Sequence, residues 1–341
     1  MKLAPRFSKR DLQDALKLSV SLVLFYWLAL SSNWQLAKYG ALAIVLISLG
    51  PTDASLRKGL LRIAGTTVGI AVGFFLAAAF AQDRWATMLF IASYVVATSY
   101  FMLGSRYAYA WFVAGFVPAI VWSDTYMKVD QVFYFGTFRY QETVIGVAIY
   151  ALVCMVLWPR DSESKTSASP PKKQTHGLRW DPERFGKACL PGLSFIAAFF
   201  FWIVMDPPLG PHIPMMAVVL AMMILLTKAN PLTILYLLVG SIVFAVAPVY
   251  LFVMPKLSGG ELFLLVFVYS FFFSLIGSRL PTLKTVPLLV FVMMTGISNQ
   301  QTYSFIGLVN GAMMFVMAQS IIIMVSMLCI PKASPIHIDT C

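Results

Sequence analysis

The residues that could do chemistry in this sequence are charged or polar side chains that interrupt long apolar runs. Arg62 opens the run "RIAGTTVGIAVG", and Thr66 follows it by four positions. Positions three or four apart share one face of a helix, so we expect both side chains on one surface. Two interpretations fit Arg62: it lines a vestibule that attracts anions, or its guanidinium extends to the lipid headgroups.

Three glycines in the same run, Gly65, Gly69 and Gly73, recur every four residues. Glycine is a poor helix former, but a row of glycines on one face leaves a groove in which a second helix can approach closely. The spacing therefore predicts a helix-packing face beside Arg62.

Three further charged residues fall near the ends of apolar runs. Lys38 follows the interfacial stretch "SSNWQLA", where it either binds an anion or contacts headgroups. Arg139 and Glu142 are three positions apart and can pair on one helix. We keep Lys38 and Arg139 as candidates for an anion pathway.

The second half of the chain offers a carboxylate and an imidazole in "MDPPLGPHI", where Asp206 precedes His212 by six residues. A carboxylate near an apolar cavity can exchange protons, and histidine titrates near neutrality. The alternative is a Pro-Pro turn with a solvated Asp206.

Two prolines interrupt short apolar runs at corresponding places, Pro118 in "AGFVPAIVW" and Pro287 in "KTVPLLVFV". Broken helices at such places mark the substrate sites of some transporters. Ordinary kinks, in which neighbouring groups satisfy the freed carbonyls, are the alternative.

The elements that must position these residues are membrane helices. The sequence is 60% hydrophobic and 11% charged, whereas roughly a quarter of the residues in soluble domains are charged. The charged N-terminal stretch is too long for a signal peptide's n-region and leads into a full-length apolar run, so we expect no cleaved signal. Apolar runs predict twelve spans, at roughly 15–32, 36–50, 62–81, 86–103, 107–122, 142–158, 189–205, 213–227, 232–252, 261–277, 284–298 and 305–330.

Basic residues predict the orientation. All but five of the 25 lysines and arginines fall on the side that would hold the N-terminus, the linker and the C-terminus. The exceptions are Lys38, Arg84, Lys128, Arg139 and Lys256. The positive-inside rule places the first side in the cytoplasm. The net charge of +11 is therefore a topology signal rather than a nucleic-acid surface, and cysteines near cytoplasmic ends predict no disulfide.

The two halves of the chain resemble each other at nearly constant offsets. Trp27 aligns with Trp202, "LGSR" at 103–106 with "IGSR" at 276–279, and "LWP" with "CIP". We therefore predict an all-α membrane protein with two parallel six-helix repeats, 1–158 and 188–332. A polar cytoplasmic linker, 159–187, joins them, and a tail, 333–341, follows. Such a bundle encloses a central pathway or forms a scaffold.

Enzymatic functions find no support in the sequence. Its three histidines are far apart and do not have metal-ligand spacing. No phosphate-binding loop, nucleophile elbow or zinc-protease motif is present, and we expect neither cofactor nor metal.

Two motifs resemble those of the fusaric-acid-resistance and aromatic-acid-exporter family, "LRKGLLRIAGTTVGIAVG" and "FRYQETVIGVAIYALVCMVLWP". The matching residues are Arg62, Gly65, Thr66 and Gly69, followed by Arg139, Ile145, Gly146, Val147, Trp158 and Pro159. The resemblance implies proton-driven efflux of aromatic or other hydrophobic organic acids across a bacterial inner membrane. It also implies a periplasmic membrane-fusion partner.

The chain departs from that family pattern in two ways. Its linker is shorter than the cytoplasmic domain of many members, and Phe244 stands where Gly69 would repeat. The main alternative function is a passive organic-anion channel, because plant malate channels resemble distant relatives of this family. Assembly of several copies is a further possibility that the sequence leaves open.

Overall fold

A computed structural model of the chain describes residues 7–34, 37–48, 55–158, 180–278 and 281–329. These residues form α helices, and no β strand occurs among them. The helices are α1 (Lys9–Ser31), α2 (Lys38–Ile47), α3 (Ser55–Phe80), α4 (Arg84–Gly104), α5 (Ala108–Thr125), α6 (Val132–Val156), α7 (Pro182–Met205), α8 (His212–Thr227), α9 (Pro231–Gly240), α10 (Gly259–Ile276), α11 (Pro281–Thr295) and α12 (Phe305–Cys329). Helix α9 continues in π-helical turns at Ser241–Val246 and Val249–Val253.

Polar residues between the apolar runs start several of these helices. Asp83, Asp181 and Asn230 accept hydrogen bonds from the first free backbone N–H groups of α4, α7 and α9. Such side chains satisfy donors that have no partner inside the helix. Proline follows directly after Asp181 and Asn230, at a helical position where its missing N–H costs nothing. Local sequence therefore determines where these helices begin.

The prediction of an all-α membrane protein is confirmed: eight of these helical segments are long and apolar enough to cross a membrane. Three apolar helices are shorter, Lys38–Ile47, His212–Thr227 and Thr282–Thr295. Several helices begin before the predicted spans. Helix α6 begins at Val132 rather than at 142, because polar residues in its first turns lower the local hydropathy. Helix α7 begins at Pro182, inside the predicted linker, of which residues 159–179 lie outside the described part of the chain, as does the tail 333–341.

Helices α2, α5, α8 and α11 form the centre of the bundle, because nearly all of their described side chains are buried. The helix contacts recur six helices later along the chain. Helix α3 packs on α5 as α9 packs on α11, and α5 packs on α8 as α11 packs on α2. Helix α1 packs on α10 and α7 packs on α4, so the two halves interlock.

Contacts between helix ends define two ends of the bundle. We call the end where α1 begins the near end and the end where α1 finishes the far end. Asn299, which follows α11, donates to the Leu30 carbonyl at the far end, 2.7 Å away. Lys284, in the first turns of α11, donates to the Ser48 carbonyl at the near end, 2.9 Å away. These contacts show that α1 and α11 run in the same direction, opposite to α2.

The two prolines do not end a helix. Helix α5 continues through Pro118 and α11 continues through Pro287. Both helices lie in the protein interior, where neighbouring groups can satisfy the carbonyls that a proline leaves without a donor. The hydroxyl of Tyr269 lies 3.4 Å from the carbonyl of Pro287.

Candidate anion and proton site

Arg62 is buried inside the bundle rather than at its surface. It lies about two turns into α3 and is only 1% exposed. Its Nη1 donates to the Tyr109 hydroxyl at 3.4 Å, and its guanidinium lies 5.6 Å from the Phe116 ring centre. Its Nε has no hydrogen-bond partner among the described residues, nor does the buried hydroxyl of Thr66 one turn further along. Both side chains are therefore buried polar groups whose hydrogen-bonding capacity the described residues only partly satisfy.

The glycines of α3 bring Arg62 against the central helix α5. A Cβ atom at Gly65 would lie 2.9 Å from the Cβ of Val113, and one at Gly69 would lie 2.6 Å from that of Val117. At Gly73 the corresponding distance to Val121 is 3.1 Å. Contacts below 3.0 Å do not occur between real side chains, so Gly65 and Gly69 are needed for the observed distance between the helices. The third contact, at Gly73, is tight but tolerable.

Arg139 is the second buried arginine, also 1% exposed, and it lies in α6. Its guanidinium stacks on the ring of Tyr39, 4.2 Å from the ring centre. Its Nε and Nη1 have no hydrogen-bond partner in the described part of the chain. Helices α2 and α6 approach closely here because a Cβ at Gly146 would lie 2.7 Å from the carbonyl oxygen of Gly40. The glycine of the second sequence motif therefore positions Tyr39 beneath Arg139.

Six residues from five helices surround this point, and we call them the buried charge cluster. They are Tyr39, Arg62, Asp124, Arg139, Glu142 and His212. The charges of Arg62, Asp124 and Glu142 all act on the Arg139 guanidinium. With half-buried Lys38 beside Asp124, three cations face two carboxylates while His212 is neutral. The group thus has one excess positive charge in a largely water-free interior.

Asp124 connects the cluster to the second half of the chain. It lies in the last turn of α5, where the Tyr39 hydroxyl donates to its Oδ2. Its Oδ1 lies 3.1 Å from Nε2 of His212, the first residue of α8. Sequence reasoning missed Asp124 because the predicted fifth span ended at 122, two residues before it. A carboxylate that follows the apolar run directly, before any turn-forming residue, was the signal that could have found it.

Asp206 and His212 are not partners in the structure. Asp206 is exposed at the end of α7, with a left-handed backbone at φ 42°. His212 faces Asp124 instead, across the interface between α5 and α8. The carboxylate that faces the imidazole is therefore 88 positions away in the sequence rather than six.

The second half contributes a buried cation of its own. Lys284 is 9% exposed, and its ammonium group bonds the carbonyl of Ser48 at the end of α2. Asp14 and Lys58 lie within electrostatic range. In the sequence analysis Lys284 is only one of the basic residues on the predicted cytoplasmic side.

An apolar seam runs along the centre of the bundle, next to the charge cluster. Side chains from α2, α5, α8 and α11 meet there: Leu42, Leu46, Phe112, Phe116, Ile120, Met215, Met216, Val219, Met223, Leu289 and Met293. The space between them is about 10 Å³, no more than one water molecule requires. Phe116, whose ring contacts the Arg62 guanidinium, belongs to this seam. The seam is a closed, dry contact in this structure.

A larger cavity of about 570 Å³ opens at the far end between α3, α4 and α5. Its walls include the aromatic rings of Trp85, Trp122 and Tyr126, together with Arg84. A volume of this size suits a small organic ligand, and aromatic walls beside a guanidinium suit an aromatic acid.

A sequence profile of the fusaric acid resistance protein family matches residues 11–181. The chain belongs to this family. The match spans α1 to α6 and therefore contains Arg62, Asp124 and Arg139, whereas His212 and Lys284 lie beyond it. Neither the comparison with curated proteins nor the comparison with solved structures gives a significant match.

Membership of the fusaric acid resistance protein family and the long apolar helices together indicate a multi-pass membrane protein. They are consistent with a role in transport or efflux. The resemblance in the two arginine motifs is thereby confirmed.

Proposed function

We propose that this chain is a secondary transporter that exports aromatic or other hydrophobic organic acids across a bacterial inner membrane in exchange for protons. The observation that carries the proposal is the pair of fully buried arginines, Arg62 and Arg139, which act on each other electrostatically. Arginine remains charged at any physiological pH, and a buried charge without enough partners is costly. A substrate carboxylate would supply the missing negative charge and bond the arginine nitrogens that have no partner among the described residues.

We further propose that all twelve helices lie in the bilayer as two parallel repeats, with both termini in the cytoplasm. The recurrence of helix contacts six helices later supports the repeats. The excess of basic residues on the predicted inner side supports the orientation. In this arrangement the apolar seam acts as the barrier between the two sides, since a dry hydrophobic constriction blocks ions and polar solutes.

We also propose a periplasmic membrane-fusion partner, which the family resemblance alone implies, and assembly with a second copy of the chain stays an open prediction. A pull-down with the tagged full-length chain from the native membrane, followed by sizing in detergent, tests both. The sizing result separates the monomer from a homo-oligomer, and the pull-down identifies a periplasmic partner.

Accumulation of labelled fusaric acid by proteoliposomes with an acidic interior tests the transport proposal, with K⁺ and valinomycin holding the membrane potential at zero. A weak acid that permeates passively collects on the alkaline side, so accumulation in the acidic interior requires exchange for protons. We expect Arg62→Gln and Arg139→Gln to raise the KM by roughly 10- to 100-fold, the effect of losing a charged hydrogen bond. The exposed Arg10→Gln, our control, keeps the wild-type KM.

The same vesicles distinguish an exporter from a channel. A channel would pass the anion down its gradient as a current and would accumulate nothing at zero potential. If the wild type shows an anion current but no accumulation, the result contradicts the exporter and supports the channel. Arg62→Gln and Arg139→Gln variants that transport as the wild type does would refute the assigned anion site.

A further inference from the structure

We infer that His212 and Asp124 together bind the proton that drives transport, and that proton binding closes the far end of the bundle. This inference rests on the proposed function, because it assigns the coupling site of that exporter. The family match covers residues 11–181 and therefore does not include His212.

The hydrogen bonds around Asp124 determine which nitrogen of His212 carries the proton. An ionised carboxylate accepts hydrogen bonds and donates none. The Tyr39 hydroxyl donates to Oδ2 of Asp124, and Oδ1 lies 3.1 Å from Nε2 of His212. Nε2 of a neutral His212 is therefore the protonated nitrogen, and Nδ1 carries the lone pair.

Nδ1 of His212 is the atom that receives the proton. It is buried and has no hydrogen-bond partner among the described residues. The side chain as a whole is 28% exposed, so the ring lies close to the surface of the far end although Nδ1 itself is buried. A hydronium ion transfers its proton to Nδ1 and leaves as water, and His212 becomes an imidazolium with one added positive charge. No bond within the protein breaks in this step.

Protonation changes the contact between the two halves of the chain. Asp124 belongs to α5 and His212 to α8, and these helices pack directly on each other. The hydrogen bond from Nε2 to the ionised Asp124 already has one charged partner, and protonation of His212 adds the attraction between two opposite charges in a buried site. The proton therefore strengthens the link between the halves at the far end and favours the closed arrangement there.

The opposite end of the bundle has a polar contact between the equivalent pair of helices. Helices α11 and α2 pack as α5 and α8 do, and Lys284 bonds the carbonyl of Ser48 between them at the near end. Each end thus has a polar contact between two of the central helices, one from each half, with the apolar seam between the two contacts. A transporter that opens one end at a time needs such separate contacts.

The ionisable groups around the pair come from several helices. On α2, Lys38 and Tyr39 act on Asp124. On α6, Arg139 interacts with Asp124, and Glu142 acts on both Tyr39 and Arg139. Arg62 on α3 acts on Arg139, and the exposed charged groups at the far end include Asp83 and Arg84 at the start of α4 and Asp206 at the end of α7.

Tyr39 joins the proton site to the arginine site. Its hydroxyl donates a hydrogen bond to Asp124, and its ring centre lies 4.2 Å from the Arg139 guanidinium. One side chain therefore contacts the groups that we assign to the proton and to the substrate anion, which is the physical connection that coupling requires.

The test compares accumulation with exchange in proteoliposomes containing the purified full chain and labelled fusaric acid. For one proton per anion, the wild type accumulates acid about tenfold per unit of pH difference at zero potential. We expect His212→Gln and Asp124→Asn to abolish accumulation. They should retain exchange of labelled for unlabelled acid at equal pH, a step that needs no net proton movement. Asp206→Asn, a carboxylate variant at the same end of the bundle, accumulates as the wild type does.

The outcomes separate the inference from the proposed function. A wild type that neither accumulates nor exchanges acid refutes the proposed function. A wild type that accumulates acid together with a His212→Gln variant that accumulates equally well overturns the inference alone. The same holds if Asp206→Asn loses accumulation and Asp124→Asn keeps it.

A spectroscopic measurement tests the pair even if a variant fails to fold. The sequence has only three histidines, so ¹⁵N-imidazole spectra of the purified chain can be assigned by loss of one signal in His212→Gln. We expect Nε2 to be the protonated nitrogen of the neutral His212 ring, because it faces the ionised Asp124. A neutral His212 ring that carries its proton on Nδ1 overturns the inference.

Discussion

Replacing Gly69 by alanine tests whether the glycine face of α3 sets the distance to α5. The added Cβ would lie 2.6 Å from the Cβ of Val117 and 3.2 Å from the carbonyl oxygen of Ala114. Both neighbours are parts of a buried helix and cannot rotate away, so α3 and α5 must separate. Overpacking of this kind costs about 1–3 kcal/mol.

The same substitution also raises helix propensity, by about 1 kcal/mol. Gly240→Ala provides the matched control, because a Cβ there would meet nothing within 4 Å. The propensity gain is common to both variants and cancels in their difference. We therefore expect Gly69→Ala to be about 1–3 kcal/mol less stable than Gly240→Ala.

A reciprocal exchange of the small residue isolates the contact. Val117→Gly removes the opposing Cβ, so the double variant Gly69→Ala, Val117→Gly should be more stable than the sum of the single effects by about 0.5–3 kcal/mol. Unfolding in mixed detergent and SDS micelles, followed by far-ultraviolet circular dichroism, measures these differences. Equal stability of Gly69→Ala and Gly240→Ala, or purely additive effects in the double variant, would refute the close approach of α3 and α5.

Two further predictions concern the barrier and the near end. Met216→Asn places an amide in the apolar seam and allows water to enter it. We expect a passive anion leak at least about tenfold above that of the wild type, measured as dye-reported efflux. The control Met327→Asn, at an exposed position of α12, leaves the leak unchanged. Lys284→Met removes a buried cation that bonds the Ser48 carbonyl. We expect the KM for acid presented at the near end to rise about tenfold. The control Lys9→Met, at an exposed position, keeps the wild-type KM. An unchanged leak in the first variant or an unchanged KM in the second contradicts the role assigned to that residue.

Much of the fold follows from local sequence. Each of the twelve predicted apolar runs overlaps one of the described helices, and capping residues such as Asp83 and Asn230 lie where hydropathy changes. Errors arose where polar residues lie inside a helix. Arg139 is an example, because a hydropathy window counts its charge as evidence for a helix end, although the bundle encloses it.

The candidate site was predicted only in part. The sequence pointed to Arg62, Thr66 and Arg139 as polar groups in apolar runs, and the structure places all three in the interior. It gave no indication that Asp124 faces His212, because their 88-residue separation exceeds any helical or strand periodicity. Contacts of this kind depend on how whole helices pack.

By itself, the sequence determined the helical class, the family and the positions of the apolar runs, because hydropathy, capping and short motifs are properties of neighbouring residues. Only the tertiary structure decided which charges are buried and which of them meet. Hydropathy shows that an arginine is costly in lipid, but not whether it faces lipid, water or protein. The packing of α2, α3, α5, α6 and α8 brings Arg62, Arg139, Asp124 and His212 into one cluster, and the glycines that permit this packing act only when a second helix lies against them.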